Sequence, residues 1–174
     1  MPIVFYRPGE STAESHRIEA TACISIAPLA PDAVQGLVDR IAATTARLPD
    51  TARVCIDATY RDADARLDVT LTGGVEAMRL MDRPADDGTP LFEADADCLL
   101  RLTIDPVRYE LRVALGDHLT SAAKNHPPQD APLSLLTRYD EERERLDVEI
   151  RGTVFAAGYL LFLTWLQVSQ SRYR

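Results

Sequence analysis

The sequence predicts an α+β fold: an antiparallel, strongly twisted sheet of about seven strands, with an N-terminal-half helix and a C-terminal helix packed on one face. Three observations carry this prediction. Several segments alternate apolar and polar residues with the period of two that puts every second side chain on one face of a strand. The outward residues of those segments are mostly charged or threonine, so one sheet face is wet and the other dry. Two further segments, one amphipathic at helical spacing and one apolar nearly all round, supply the cover for the dry face. With 174 residues, 46% apolar and 26% charged, the chain fits a single domain over 1–174 with an ordinary core.

The first strand is Arg17–Ala27, where Ile18, Ala20, Ala22, Ile24 and Ile26 share one side and Glu19, Thr21 and Ser25 the other. Pro28 and Pro31 end it, and Pro31 stands where a helix would begin, a position that tolerates a missing N–H. From Asp32 to Leu48 the spacing of Val34, Leu37, Val38, Ile41, Ala42, Thr45 and Leu48 predicts an amphipathic helix, stopped by Pro49.

Three hairpin-like units follow. Val54, Ile56, Ala58 and Tyr60 alternate, then Leu67, Val69 and Leu71, around the polar loop 61–65. Gly73-Gly74 breaks the run, and Val75, Met78 and Met81 predict a short helix. The stretch Asp82–Asp97, rich in Pro, Gly and Asp, reads as a long surface loop. In the second unit Cys98, Leu100, Leu102 and Ile104 are expected to pair with Tyr109, Leu111, Val113 and Leu115 across a turn at Asp105–Arg108. The loop Asp117–Pro132 leads to the third, in which Leu133, Leu135 and Tyr139 oppose Leu146, Val148 and Ile150. No internal repeat at a fixed period is visible.

The last segment is the most informative. Val154–Leu166 has no charged residue and directly follows the heavily charged Arg138–Arg151. As a helix it must be buried in a core, a partner or lipid. Even extended to Val168 it reaches only about 23 Å, short of a hydrocarbon core of about 30 Å. Burial in protein is the expectation. One stripe holds Phe155, Tyr159, Phe162 and Leu166, a second Leu161, Trp165 and Val168, so one can pack on the sheet while the remaining apolar surface either lies under the Asp82–Asp97 loop or meets another chain. Tyr159, Phe162 and Trp165 are the candidate partner-binding residues.

A net charge of −8 and a pI near 4.9 argue against a general nucleic-acid binder and against adsorption to anionic membranes. Cys23, Cys55 and Cys98 are odd in number and lack a Cys-x-x-Cys, which fits small strand residues in a reducing compartment. No secretory signal is evident at the N-terminus, so a cytoplasmic location is expected.

Motifs for chemistry are lacking. His16, His118 and His126 have no metal spacing, and the pairs Asp62/Asp64 and Asp95/Asp97 lack the glycine and terminal glutamate of a calcium loop. There is no Gly-x-Ser-x-Gly elbow and no phosphate-binding glycine loop. The expectation is no catalytic residue, no metal and no cofactor. Arg101 and Arg112 would face each other in the second hairpin. That opposition reads either as a weak anion site or as part of a ladder with Glu110, Glu149 or Asp68.

In element order (strand, helix, six strands, terminal helix) the chain from Arg17 onward is similar to the helix-grip arrangement of START-like and plant-allergen-like ligand-binding proteins. That resemblance implies a cavity between sheet and terminal helix for a small molecule or lipid, with or without catalysis. The residues themselves favour a non-enzymatic interaction protein of a bacterial-type cytoplasm: an accessory subunit, a chaperone-like adaptor or an immunity-type inhibitor. Its partner is another protein or a second copy, with no nucleic acid and no membrane.

Overall fold

Alternation lays down the sheet. A computed structural model of the protein describes residues 3–5, 16–48, 54–81, 88–125 and 133–170. The elements run β1 (Ile3–Phe5), β2 (His16–Ile26), α1 (Pro31–Thr45), β3 (Cys55–Arg61), β4 (Arg66–Gly73), α2 (Val75–Met78), β5 (Asp97–Asp105), α3 (Tyr109–Asn125), β6 (Ser134–Asp140), β7 (Arg145–Thr153) and α4 (Val154–Gln170). All strand pairings are antiparallel, in the order β3-β4-β2-β5-β7-β6, with β1 added to the N-terminal end of β2. The inward residues of β2, β4, β5 and β7 are buried almost without exception, and the intervening ones are half-buried or exposed. The apolar residues of one face meet Ile41 of α1, Leu115 and Leu119 of α3, and Leu160 and Val168 of α4 in one continuous core.

The α+β class, the antiparallel sheet and the first and third hairpins are as the sequence predicts. Ile56 pairs with Leu71 and Tyr60 with Leu67; Leu135 pairs with Ile150 and Tyr139 with Leu146. The α1 helix buries Ile41 and Thr44, leaves Ala42 exposed, and ends at Thr45; the expected stop at Pro49 lies outside the described residues.

The second hairpin does not exist. The residues expected to form its return strand, Tyr109–Leu115, open α3 instead, and β5 pairs with β2 and β7. Leu111, Leu115, Leu119 and Ala122 recur every three or four residues and are the buried face of that helix. Over the seven residues 109–115, alternation and helical spacing share Leu111 and Leu115, so only the continuation to Leu119 and Ala122 separates them. Tyr109 and Val113, expected inside a sheet, are exposed on the helix. Without this hairpin the helix-grip order is lost, because a 17-residue helix interrupts the run of six strands. The irregular stretch after Met81 also differs from expectation. Residues 82–87 lie outside the described residues, but Leu91 and Phe92 further along it are core residues rather than loop surface.

The structure reveals an internal repeat that sequence reasoning missed, although both halves carry Tyr-x5-Arg-Leu-Asp-Val-x3-Gly-x-Val, at Tyr60–Val75 and Tyr139–Val154. β2-α1-β3-β4-α2 and β5-α3-β6-β7-α4 follow the same path, and the sheet order is symmetric about the β2/β5 pair. Several interactions occur twice. Tyr60 Oη donates to the Leu29 carbonyl at 2.7 Å, and Tyr139 Oη to the Val107 carbonyl at 2.6 Å. The Leu29 amide donates to the Ala65 carbonyl, and the Val107 amide to that of Glu144. Ala65 and Glu144 both adopt positive φ, at 47° and 49°. Ser25 donates to Asp68, which is paired with Arg66; Thr103 donates to Asp147, which is paired with Arg145. A pseudo-two-fold axis passes between Ala22 and Leu100, which oppose each other in the register of β2 and β5.

Candidate interaction surface

The α4 helix starts well capped. Thr153 Oγ1 accepts from the Ala156 amide at 3.2 Å, and the first two helical amides, of Val154 and Phe155, donate to the carbonyls of Ala96 and Ala94. These bonds satisfy three of the donors that a helix N-terminus leaves without intrahelical partners. The stretch before β5 thereby fixes where α4 leaves the sheet.

Of the two stripes, the one containing Leu161 and Val168 turns inward. Ala157, Leu160, Leu161, Thr164 and Val168 are buried, with the Thr164 hydroxyl donating to the Leu160 carbonyl at 2.8 Å. The opposite face carries Phe155 and Phe162, each 52% exposed, with half-buried Tyr159 and Leu166 between and beyond them. No charged residue occurs between Val154 and Gln170. An aromatic stripe on an uncharged helix is thus turned toward solvent over three turns.

Beside it runs a groove of about 350 Å³. Val75, Met78 and Arg79 form one wall; Gly158, Leu161, Phe162 and Trp165 of α4 form the other. The Phe162 and Trp165 rings lie 6.1 Å apart, tilted by 32°. Arg79, on the single 3₁₀ turn after α2, is exposed and is the only charged residue in the lining among the described residues. Under the internal two-fold, α2 is the counterpart of the first turn of α4. The α2 helix ends at Met78 and passes into the 3₁₀ turn Arg79–Met81, whose Arg79 faces α4 across the groove.

The structure brings Tyr159, Phe162 and Trp165 onto one element, Trp165 on the groove side and Tyr159 on the outer side. Sequence reasoning placed Phe155 in the stripe but did not single it out, although it is as exposed as Phe162. It gave no role to Met78 or Arg79, since nothing in the chain order signals that α2 lies against α4.

Arg101 and Arg112 are not brought together. Arg112 sits on α3, its guanidinium 5.8 Å from the Tyr109 ring centre and 5.7 Å from that of Tyr139. Arg101 lies on the wet face of β5, where Arg101 Nε meets Glu149 Oε2 at 3.2 Å, and Glu149 also accepts from Arg151 at 2.9 Å. The opposition that suggested an anion site was a property of the absent hairpin, and the ladder with Glu149 is what forms. Hydrogen bonds from Arg151 and Arg101 hold the Glu149 carboxyl below its ordinary pKa. Partial desolvation pulls Asp68 upward, but bonds from Arg66 and Ser25 outweigh it and lower its pKa too. Arg138 faces Asp147 in the strand register, yet Asp147 is paired with Arg145 on its own strand.

Among the described residues the remaining chemistry-bearing side chains stay dispersed. His118 is exposed on α3 rather than in a loop; the His16 side chain and His126 lie outside the described residues. Among the described residues no group of three His, Cys, Asp or Glu converges on a metal position. Asp62 and Asp64 lie on an exposed 3₁₀ turn, where Asp64 pairs with Arg61. Cys98 is buried, and burial pushes its thiol up to about 12, so it stays protonated; Cys23 is half-buried and Cys55 exposed. Burial also raises the Tyr60 and Tyr139 hydroxyls, with nearby carboxylates adding to it. Both hydroxyls therefore remain hydrogen-bond donors to the turns they fasten. Among the described residues no helix is long and apolar enough to cross a membrane.

Compared with known proteins, the chain matches no family model, and no curated protein is significantly similar to it in sequence.

Proposed function

We propose that the protein is a non-enzymatic interaction protein that docks through the outer face of α4. The observation that carries this reading is the pair Phe155 and Phe162, both more than half exposed on a helix without a charged side chain. Monomeric surfaces rarely hold an aromatic stripe of that kind free, and large aromatics contribute disproportionately at interfaces. The neighbouring Trp165 and the groove wall extend the same apolar surface. Paired surface carboxylates and the inert Cys98 agree with binding rather than catalysis.

The reading is tested with Phe155→Ser plus Phe162→Ser. Both side chains point outward, so the melting temperature should be kept to within a few degrees while the complex dissociates in size-exclusion chromatography. Native mass spectrometry of protein from its own host provides the competing outcome. An apolar small molecule held in the groove, with no protein subunit bound, overturns the proposal in favour of a ligand-binding protein.

A further inference from the structure

We infer that the outer stripe of α4 is the seam of an antiparallel homodimer, in which α4 of one copy lies on α4 of another. This rests on the interaction reading above and names its partner. Phe155, Tyr159, Phe162 and Leu166 are separated by four, three and four residues, which is the a/d spacing of a two-helix seam rather than the broader face of a core helix. They lie opposite the buried face of α4, Phe155 and Phe162 exposed and Tyr159 and Leu166 half-buried between and beyond them.

The register favours a copy of the same helix. A two-fold interface is isologous: if one residue touches a second, the second touches the first across the axis. With the axis midway between Tyr159 and Phe162, Tyr159 meets the other copy's Phe162, and Phe155 meets the other copy's Leu166. All four members of the stripe are used, and each d-like position faces an a-like one, as antiparallel pairing of two helices requires. Electrostatics point the same way. The chain carries a net charge of −8, so two copies repel each other on average where charged surfaces meet. The α4 helix, with no charged side chain, is a surface on which two copies meet without that repulsion.

The test is a charge-swap pair on the purified full-length chain. The mass should be twice the 19.3 kDa of the chain by light scattering. Phe162→Glu and Tyr159→Lys, made separately, should each be monomeric with melting temperatures near that of the wild type. Mixing them should restore a dimer, because in the antiparallel register the new Lys of one chain meets the new Glu of the other while the second Tyr159–Phe162 contact stays intact. If Tyr159→Lys unfolds, Phe155→Glu with Leu166→Lys supplies the same test. A dimer that survives Phe162→Glu, or two folded monomeric variants that fail to recombine, overturns the inference. A wild type that is monomeric at every concentration also overturns it. The wider reading still stands in that case if a host protein bound to the wild type is lost from the Phe155→Ser plus Phe162→Ser variant, and falls if native spectra show a small apolar ligand instead.

Discussion

Glu149 is held by two guanidiniums on the wet face of the sheet, and its lowered pKa has a signed consequence. A carboxyl whose folded pKa lies below its ordinary value of 4.5 stabilises the fold above that value, and the contribution is lost as pH falls through the folded pKa. Asp68, held by Arg66 and Ser25, acts with the same sign. Glu149→Gln removes one such contribution, so its thermal stability should differ little from wild type at pH 3 and fall below it at pH 7. The difference should be small, because the site is solvated and exposed ion pairs are weak. A scan of melting temperature against pH for both proteins reads it directly; parallel curves would show that the ladder is electrostatically idle. This ladder was half legible in the sequence. Arg101 beside Glu149 was among the anticipated arrangements, since alternation puts both on the outward side. Arg112 was not, because its position depended on whether residues 109–115 extend or coil.

At the scale of elements, that same choice separates what the chain reveals from what it hides. Strands β2, β3, β4, β5, β6 and β7 were readable because each alternates with bounding turn residues, and α1 because its apolar positions persist over four turns. The α3 helix was hidden because its first seven residues satisfy two periods at once, and local order cannot decide between them. What decides is tertiary: β2 occupies the edge of β5 that a hairpin partner would take. Gly116 offers a test of the helical assignment. It lies within α3, and an added Cβ there meets nothing within 4 Å. Glycine costs about 0.5–1 kcal/mol relative to alanine in a helix interior, so Gly116→Ala should stabilise the protein by roughly that amount. A chemical-denaturation midpoint that stays put or falls would indicate that residue 116 is not inside a helix. The candidate site follows the same division. That α4 is an apolar helix with two stripes was plain; which stripe faces out, and that the turn after α2 faces α4 across a groove, depends on how the two halves meet.

The whole molecule is built from two similar halves joined back to back through β2 and β5, a repeat legible in the shared Arg-Leu-Asp-Val of 66–69 and 145–148 but not in the strands that form the join. On the core side of that pairing Ala20 opposes Leu102, Ala22 opposes Leu100, and Ile24 opposes Cys98. Each small side chain meets a larger one. Two identical halves would place the same residue on both sides of the axis, and two leucines there would overfill the core while two alanines would leave a void. A single chain is free of that constraint, so the halves are complementary in size at Ala22 and Leu100, the pair on the axis, where symmetry would otherwise demand identity. The argument predicts a coupled pair of substitutions. Leu100→Ala alone should cost about 2–5 kcal/mol by leaving a cavity. Ala22→Leu alone should cost about 1–3 kcal/mol by overpacking. Because directly opposed side chains on one sheet face have Cβ atoms only about 4.5–5.5 Å apart, the double exchange keeps total volume and should cost clearly less than the two singles together. Equilibrium denaturation of the four proteins closes the cycle. A double variant whose loss equals the sum of the single losses would mean that the two positions do not share space, and the size complementarity across the axis would then be incidental to the packing of the core.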